Sequence, residues 1–406
     1  MNSAVRTPGA WRHGQEKIDW ARRFMPVTET LAGELLRART LAGLRVGLSL
    51  VLEPKTANLA LRLAEAGADV SVVCRAVNTR DDVAAALDRA GIAVFARSDA
   101  SAATEQLLRT EFLARRQQIL VDDGARSIRL AHSASADVLD ALRGASEETT
   151  SGLRPLRAMA GAGRLRFPVV AANDARSKTL FDNDHGTGQS TVLAVADLLG
   201  TVLTGKSVVV AGYGYVGRGV ARSARALGAR ITVAEIDPIR ALEALHAGYR
   251  VAPLVEAAAA ADILISATGF AHTVDVEHLS ALPDGAAVAV AGGVDQEIAL
   301  EAAFAAGAST RRTADRIDEI DLPNGRTVLV LDNGGCINCT AGEGNPIEIM
   351  DLSFGVQLLA VEYLALEGSG LAAEVHALPA SADTRVAHAK LSSAGIRIDN
   401  TGEAVR

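Results

Sequence analysis

Short apolar, β-branched runs recur along the chain and alternate with segments whose apolar residues fall three and four apart. In the first half the runs are LRVGLSLVL (44–52), ADVSVVCR (68–75), IAVFAR (92–97) and QILVDDG (118–124). Segments such as TANLALRLAEAG and TRDDVAAALDRAG separate them and carry the helical period. The second half repeats the scheme with SVVVAG, RITVAEID, DILISATG, AAVAVAGG and TVLVLDN. Strand and helix in alternation predict parallel sheets covered on both faces, so the expected fold class is α/β with two doubly wound, Rossmann-like domains. Near the C-terminus, NPIEIMDLSFGVQLLAVEYLALE predicts a long helix entered by a proline. The polar stretch NDARSKTLFDNDHGTGQS (173–190) separates the halves and is the natural hinge.

Composition narrows the function classes. A chain of 406 residues holds two domains of ordinary size. Its net charge of −7 argues against a nucleic-acid partner, which needs a basic face. No run of roughly 18 uncharged apolar residues appears, and the N-terminus MNSAVRTPGAWRHGQ lacks a secretory pattern. The expectation is a cytoplasmic protein without a membrane partner. Cys74, Cys336 and Cys339 are an odd, sparse set that fits a reducing compartment. Cys336 and Cys339 form a C-x-x-C without a second pair, so no metal site is expected; small packing residues near a loop are the plain reading.

One loop carries explicit chemistry. Gly212, Gly214 and Gly217 form G-x-G-x-x-G, with a strand (SVVVA) leading in and a helix (VGRGVARSARALG) leading out. The first glycine permits the tight turn, the second lets backbone approach a pyrophosphate, and the third lets helix pack on strand. Tyr215 and Val216 sit inside the same loop, and Glu235 follows Gly217 by 18 residues at the end of the next strand. A carboxylate there accepts hydrogen bonds from a ribose diol and repels a 2′-phosphate, so NAD is expected over NADP. Arg240 is the neighbouring cation that weighs the other way.

Four further stretches place reactive groups together: SEETTSG (146–152), NDARSKTLFDN, VDDG (121–124) and NGGCINCTAGEGNP (333–346). Lys178 and Asp182 are four apart, the spacing of one helical face. VDDG ends a strand, where open α/β sheets bind ligands. Taken singly, each also reads as a solvated surface feature.

Taken in order, KIDWARRFMPV, VDDG, GASEETTSGLRPL, SKTLFDN, GKSVVVAGYGYVGRGVA, EIDPIRALEA and MDLSFGVQLLA resemble S-adenosylhomocysteine hydrolase, from about residue 16 to residue 399. The resemblance implies a substrate domain of residues 1–188 completed by residues 346–406, with the NAD domain inserted as residues 189–345. The site would then lie in the cleft between them. It implies a small-molecule nucleoside substrate and a chemistry in which the ribose 3′-hydroxyl is oxidised transiently. The oxidation acidifies the C4′ proton, the 5′ substituent is eliminated, water adds to the resulting enone, and the hydride is returned. By the same resemblance Lys178 assists removal of the 3′-hydroxyl proton, Asp182 and Glu148 hold the ribose diol, and Asp123 acts at the C4′ proton. Thr149, Thr150, Asn183, Thr268 and Asn338 resemble cofactor contacts, with Glu235 on the cofactor ribose.

The likeness also locates departures. Three histidine positions of the family fall on Val51, Gly293 and Asn345. On the base side, Glu53, Lys55 and Thr56 in VLEPKTA and Asn345 in GNP line the expected substrate pocket, with Lys55 in place of a family glutamate and Glu53 in place of a threonine. His132, His185 and His272 are the candidate substitutes. The family's C-terminal tail, which clamps a neighbour's NAD, has no counterpart after AHAKLSSAGIRIDNTGEAVR, although a homo-oligomer (dimer or tetramer) is still expected. Three readings stay open: elimination on another nucleoside, including loss of water; hydrolysis of S-adenosylhomocysteine with re-sited acid–base groups; and binding of NAD and nucleoside without turnover.

Overall fold

The computed structural model describes residues 3–292 and 296–399. Its strands, in chain order, are β1 (Arg45–Ser49), β2 (Asp69–Val73), β3 (Ala93–Phe95), β4 (Ile119–Asp122), β5 (Gly144–Glu147) and β6 (Val169–Ala171). There follow β7 (Ser207–Ala211), β8 (Arg230–Ala234), β9 (Arg250–Val251), β10 (Ile263–Ser266), β11 (Ala287–Val290), β12 (Ser309–Ala314), β13 (Ile317–Asp321) and β14 (Thr327–Leu331). Last comes β15 (Val375–Ala377). Two compact units divide the chain: Met1–Lys178 with Met350–Arg406, and Thr179–Ile349.

The first unit is built on a seven-stranded sheet in the order β15-β6-β5-β4-β1-β2-β3, parallel throughout. Its central strands are buried on both faces, which is why they read as continuous Val/Ile/Leu runs. Strand order reverses between β1 and β4, and ligands bind at the carboxyl ends beside such a reversal. The helix Ile347–Glu367 is long and apolar enough by composition to cross a membrane. However, 67% of its most apolar window is buried inside the protein, as a core helix requires.

The second unit has an eight-stranded sheet in the order β12-β13-β14-β11-β10-β7-β8-β9. Strands β14 through β9 in that order are parallel, while β12, β13 and β14 form an antiparallel extension. Valines and isoleucines of β7, β8 and β10 pack with Val220, Ala221 and Ala224 of the helix Tyr215–Ala226.

The sequence places the unit boundaries after residues 188 and 345; the compact units change over after Lys178 and Ile349. Glycine contacts explain the first difference. A Cβ on Gly188 would sit 2.3 Å from the Gly219 backbone, and one on Gly219 only 1.8 Å from the Asp184 carbonyl oxygen. The segment Thr179–Thr187 is thereby drawn tightly onto the helix Tyr215–Ala226 and belongs with the second unit. It is wound as a π-helix, so the α-helical alignment expected for residues four apart does not apply there.

Candidate active site

In the first unit the sequence-derived candidates gather at the carboxyl ends of four adjacent strands, β1, β4, β5 and β6. Glu53 follows β1 and caps the helix Pro54–Glu65: its Oε2 accepts from the Lys55 amide at 3.0 Å. The same oxygen lies 3.1 Å from Lys55 Nζ. Lys55 and Thr56 are buried, so the pair is a fixed, desolvated element. Val51, two residues earlier, is half-buried and supplies no proton donor or acceptor.

Lys178 is 2% exposed, with Nζ 3.7 Å from Glu148 Oε1 and 3.5 Å from Asn173 Oδ1. The turn that carries it is pinned by Asp383, which accepts from the Arg176 amide at 2.7 Å and the Ser177 amide at 2.9 Å. Glu148 is also buried; its backbone amide donates to the Asp122 carbonyl at 2.9 Å. Its second carboxylate oxygen accepts from the Gln357 amide nitrogen, and Gln357 in turn accepts from the Ser146 hydroxyl. A lysine and a carboxylate held this way, out of water, are an acid–base pair whose geometry is set before substrate arrives.

Asp123 stands at the end of β4 on a turn built by two buried carboxylates that the sequence reading passed over. Asp122 accepts from the Ile128 amide at 2.8 Å and from the Asp123 amide at 3.1 Å. Burial raises its pKa to about 6. Glu147 accepts from the amides of Gly124 and Ala125, each at 2.9 Å, and from the Thr149 hydroxyl at 2.7 Å. Burial first, then the negative charges of Asp122 and Asp123, push its pKa well above the ordinary glutamate value. Thr149 caps the helix Thr150–Gly161 by accepting from the Gly152 amide, which places Thr149 and Thr150 at that helix's N-terminus.

The second unit holds the glycine loop after β7. Gly212 has φ +92°, open to glycine, and a Cβ on Gly217 would meet the Gly212 carbonyl oxygen at 2.0 Å. At Gly214, by contrast, the nearest atom to a Cβ is an Arg240 guanidinium nitrogen at 3.8 Å, so protein packing leaves that side open. Gly214 caps the helix that begins at Tyr215 and Val216. Glu235 accepts from the Tyr213 amide at 2.7 Å and the Ile236 amide at 2.7 Å, which ties the acidic strand end to the glycine loop. Arg240 is exposed, 3.8 Å from Asp237. The open second glycine, the helix N-terminus and the tethered carboxylate fit a dinucleotide; these residues would hold NAD.

Across the sheet, Thr268 follows β10 and is organised by Glu297, another residue without a sequence signal. Glu297 is fully buried, its pKa raised by burial, and accepts from Ser266 Oγ at 2.5 Å, Gly269 N at 3.0 Å and Thr268 Oγ1 at 3.1 Å. Asn338 lies between the two cysteines: Cys336 Sγ donates to its Oδ1 at 3.0 Å and its Nδ2 reaches Cys339 Sγ at 3.4 Å. Among the described residues no cluster of three His, Cys, Asp or Glu side chains is arranged for a metal.

Asp182 and Asn345 meet in this unit. The Asn345 amide donates to the Asp182 carboxylate and to Thr187 Oγ1 at 3.1 Å, while its oxygen accepts from Ser190 Oγ at 2.9 Å and Asn338 Nδ2 at 3.4 Å. Asn345 was expected on the base side; here its amide is committed to Asp182 and its neighbours. Asn183 donates to Thr179 Oγ1 at 3.1 Å.

The three candidate histidines are placed as follows. His185 is exposed, stacked on Phe181, with Nδ1 3.2 Å from Arg222. His272 is exposed with φ +59°. His132 is half-buried against Phe167, contacts the Ile128 carbonyl at 2.8 Å, and has its pKa lowered by burial. Gly293 lies outside the described residues.

The chain is similar to known proteins over nearly its whole length. The family model for the S-adenosyl-L-homocysteine hydrolase NAD-binding domain matches residues 183–344, and that for S-adenosyl-L-homocysteine hydrolase matches residues 3–140. An adenosylhomocysteinase of Thermotoga maritima is 42% identical over 396 residues, 97% of this chain and 98% of its own. An S-inosyl-L-homocysteine hydrolase of Methanopyrus kandleri is 42% identical, covering 98% and 94%. An adenosylhomocysteinase of Archaeoglobus fulgidus is also 42% identical, covering 97% of each. With a glycine loop suited to NAD and relatives alike over nearly their whole length, the chain belongs to the S-adenosyl-L-homocysteine hydrolase family and is an NAD-dependent enzyme of that kind.

Proposed function

We propose that this enzyme removes water from the 4′ and 5′ carbons of a purine-type nucleoside that carries a free 5′-hydroxyl, leaving an exocyclic alkene. The observation that carries the reading is Asn345, whose amide is spent on Asp182, Thr187 and Ser190 at a position where the resemblance puts a histidine. Val51, an aliphatic side chain, stands at a second such position. The groups for oxidation are kept while those for handling a thiol leaving group are replaced.

NAD, when bound, supplies a reversible hydride acceptor for the 3′ carbon. Lys178 receives the 3′-hydroxyl proton, and its buried pairing with Glu148 keeps it aimed. Glu148 and Asp182 accept hydrogen bonds from the ribose diol. With the 3′ carbon a ketone, the C4′ proton is acidic and passes to the Asp123 carboxylate. The C4′=C5′ bond forms as C5′–O breaks, and the same Asp123 carboxyl returns its proton to the departing oxygen, which leaves as water. One carboxylate that accepts and then donates needs no histidine, which reconciles this site with its substitutions. The ketone is finally reduced, and Lys178 gives the proton back.

The names of the relatives favour a second reading, hydrolysis of an S-nucleosylhomocysteine, and the Methanopyrus kandleri protein shows by its name that the base varies among relatives. Purified protein with added NAD, offered adenosine, inosine, S-adenosylhomocysteine and S-inosylhomocysteine in turn, separates the two. The expected result is a nucleoside product lighter by one water and no thiol. Thiol release at enzymic rates from either homocysteine conjugate would overturn the proposal.

A further inference from the structure

The amino ends of the same four strands, opposite the candidate active site, carry a second concentration of functional groups. Arg45 opens β1, Gln118 immediately precedes β4, Arg143 immediately precedes β5, and Pro168 immediately precedes β6. Arg116 and Arg166 lie two residues further upstream of Gln118 and Pro168. Since β1, β4, β5 and β6 are consecutive neighbours, these residues line one continuous cleft of about 520 Å³ across the lower edge of the sheet.

The cleft is unbalanced in charge. Four arginines line it against one carboxylate, Asp140, in a chain whose net charge is −7. Two of them have backbone carbonyls as partners. Arg45 Nε donates to the Arg116 carbonyl at 2.8 Å, and Arg143 donates to the Ala365 carbonyl at 3.3 Å. Arg116 is 3.7 Å from Asp137, an exposed pair that neutralises it weakly. The Arg166 side chain makes no hydrogen bond or ion pair among the described residues. A carbonyl orients a guanidinium without cancelling its charge, so the positive charge of Arg45 and Arg143 adds to that of Arg166 and favours an anion in the cleft.

From this geometry we infer a binding site for a small polyphosphorylated ligand, a di- or triphosphate, at the amino edge of the first unit's sheet. Guanidinium groups match phosphate in a forked, two-bond geometry that lysine does not offer. Neighbouring strands stand about 4.8 Å apart, so Arg45 and Arg143 start roughly 10 Å from each other, a gap two arginine side chains close onto one chain of phosphates. The volume is that of a small-molecule site, and the polar, arginine-rich lining selects for charge over an apolar nucleoside. The site is independent of the reaction proposed above: none of its residues belongs to the Lys178, Glu148 and Asp123 cluster.

Calorimetric titration with inorganic tripolyphosphate, with sodium sulfate at matched ionic strength as the reference, tests the assignment. The expected result is saturable one-to-one binding of tripolyphosphate that weakens with salt. Arg143→Gln should weaken it by about tenfold, the effect of one charge-assisted hydrogen bond. Arg166→Glu should abolish it with the melting temperature unchanged or raised, because that side chain supports nothing else. Absence of saturable heat, an affinity unchanged in Arg166→Glu, or tighter binding of a short RNA than of tripolyphosphate would each overturn the proposal.

Discussion

Replacing Gln357 by Met tests whether the Lys178–Glu148 pair depends on its buried support. Gln357 is fully buried on the helix Ile347–Glu367, and its amide joins Ser146 to Glu148. Its oxygen accepts the serine proton, so its nitrogen must face the carboxylate. Met matches the glutamine in length and flexibility, so the cavity contribution is small. What is lost is a hydrogen bond to a charged group, about 1.5–3 kcal/mol, with about 1 kcal/mol more for the stranded serine hydroxyl. Lys178 Nζ, 3.7 Å away, still partners Glu148, which keeps the total destabilisation near 2–4 kcal/mol and the protein folded. The first bond does the functional damage: at 1.36 kcal/mol per decade it slows formation of reduced nicotinamide by roughly 10–150-fold. Rapid mixing of NAD-loaded enzyme with a nucleoside, followed in the near-ultraviolet band of the reduced cofactor, gives that rate. A melting curve on the same sample gives the stability. A variant that melts lower yet reduces its cofactor at the unaltered rate would refute the catalytic half of the argument. Unchanged values for both would refute the bond itself.

Two glycine substitutions separate packing from cofactor contact. Gly217→Ala forces a Cβ to 2.0 Å from the Gly212 carbonyl, so the turn must open by about 1 Å; the NAD content of the purified protein should fall by ~100-fold. Gly214→Ala meets only a flexible guanidinium at 3.8 Å, so its melting curve should match the parent's while NAD binding weakens; stoichiometric NAD in that variant would remove the assignment. Asp122→Asn has a signed pH signature. Folding raises the pKa from about 3.9 to about 6, so Asp122 contributes most below pH 4 and loses up to roughly 3 kcal/mol as pH climbs to 6. The variant leaves an amide facing a backbone donor, and its stability deficit should be largest near pH 4 and narrow by pH 6–7 in denaturant titrations. A deficit independent of pH would contradict the burial argument.

Legibility of the fold tracked burial. Strands β1, β2, β4, β7, β8 and β10 are buried on both faces and announced themselves as apolar runs. The hairpin of β12 and β13 did not. Ser309–Ala314 is exposed along its length, and Ile317–Asp321 holds three acids to two isoleucines, so neither has the apolar density of a core strand. Strand β5, Gly144–Glu147, is short and polar and drew attention only as chemistry. The reactive loops were readable because they concentrate unusual residues. Their supports were harder: Glu147, Asp122 and Glu297 resemble ordinary surface acids until burial is known. Gln357 had a faint signal, a lone amide in an otherwise apolar stretch of helix. The stretch 173–190 read as a hinge because it is polar, while only the fold shows that Gly188 packs against the Gly219 backbone.

The carboxylates behind the β4 turn have a consequence for how such an enzyme diversifies. Glu147 and Asp122 grip Gly124, Ala125, Asp123 and Ile128 through backbone amides, from inside the sheet. The turn that carries Asp123, the residue proposed to take the C4′ proton, is therefore mounted on the frame, while Val51 and Lys55 come from a different strand end. Changes to that wall leave the mounting untouched. A lineage built this way can exchange one leaving group for another by a few substitutions without rebuilding its acid, and a protein engineer restoring a histidine at Val51 would inherit the same freedom.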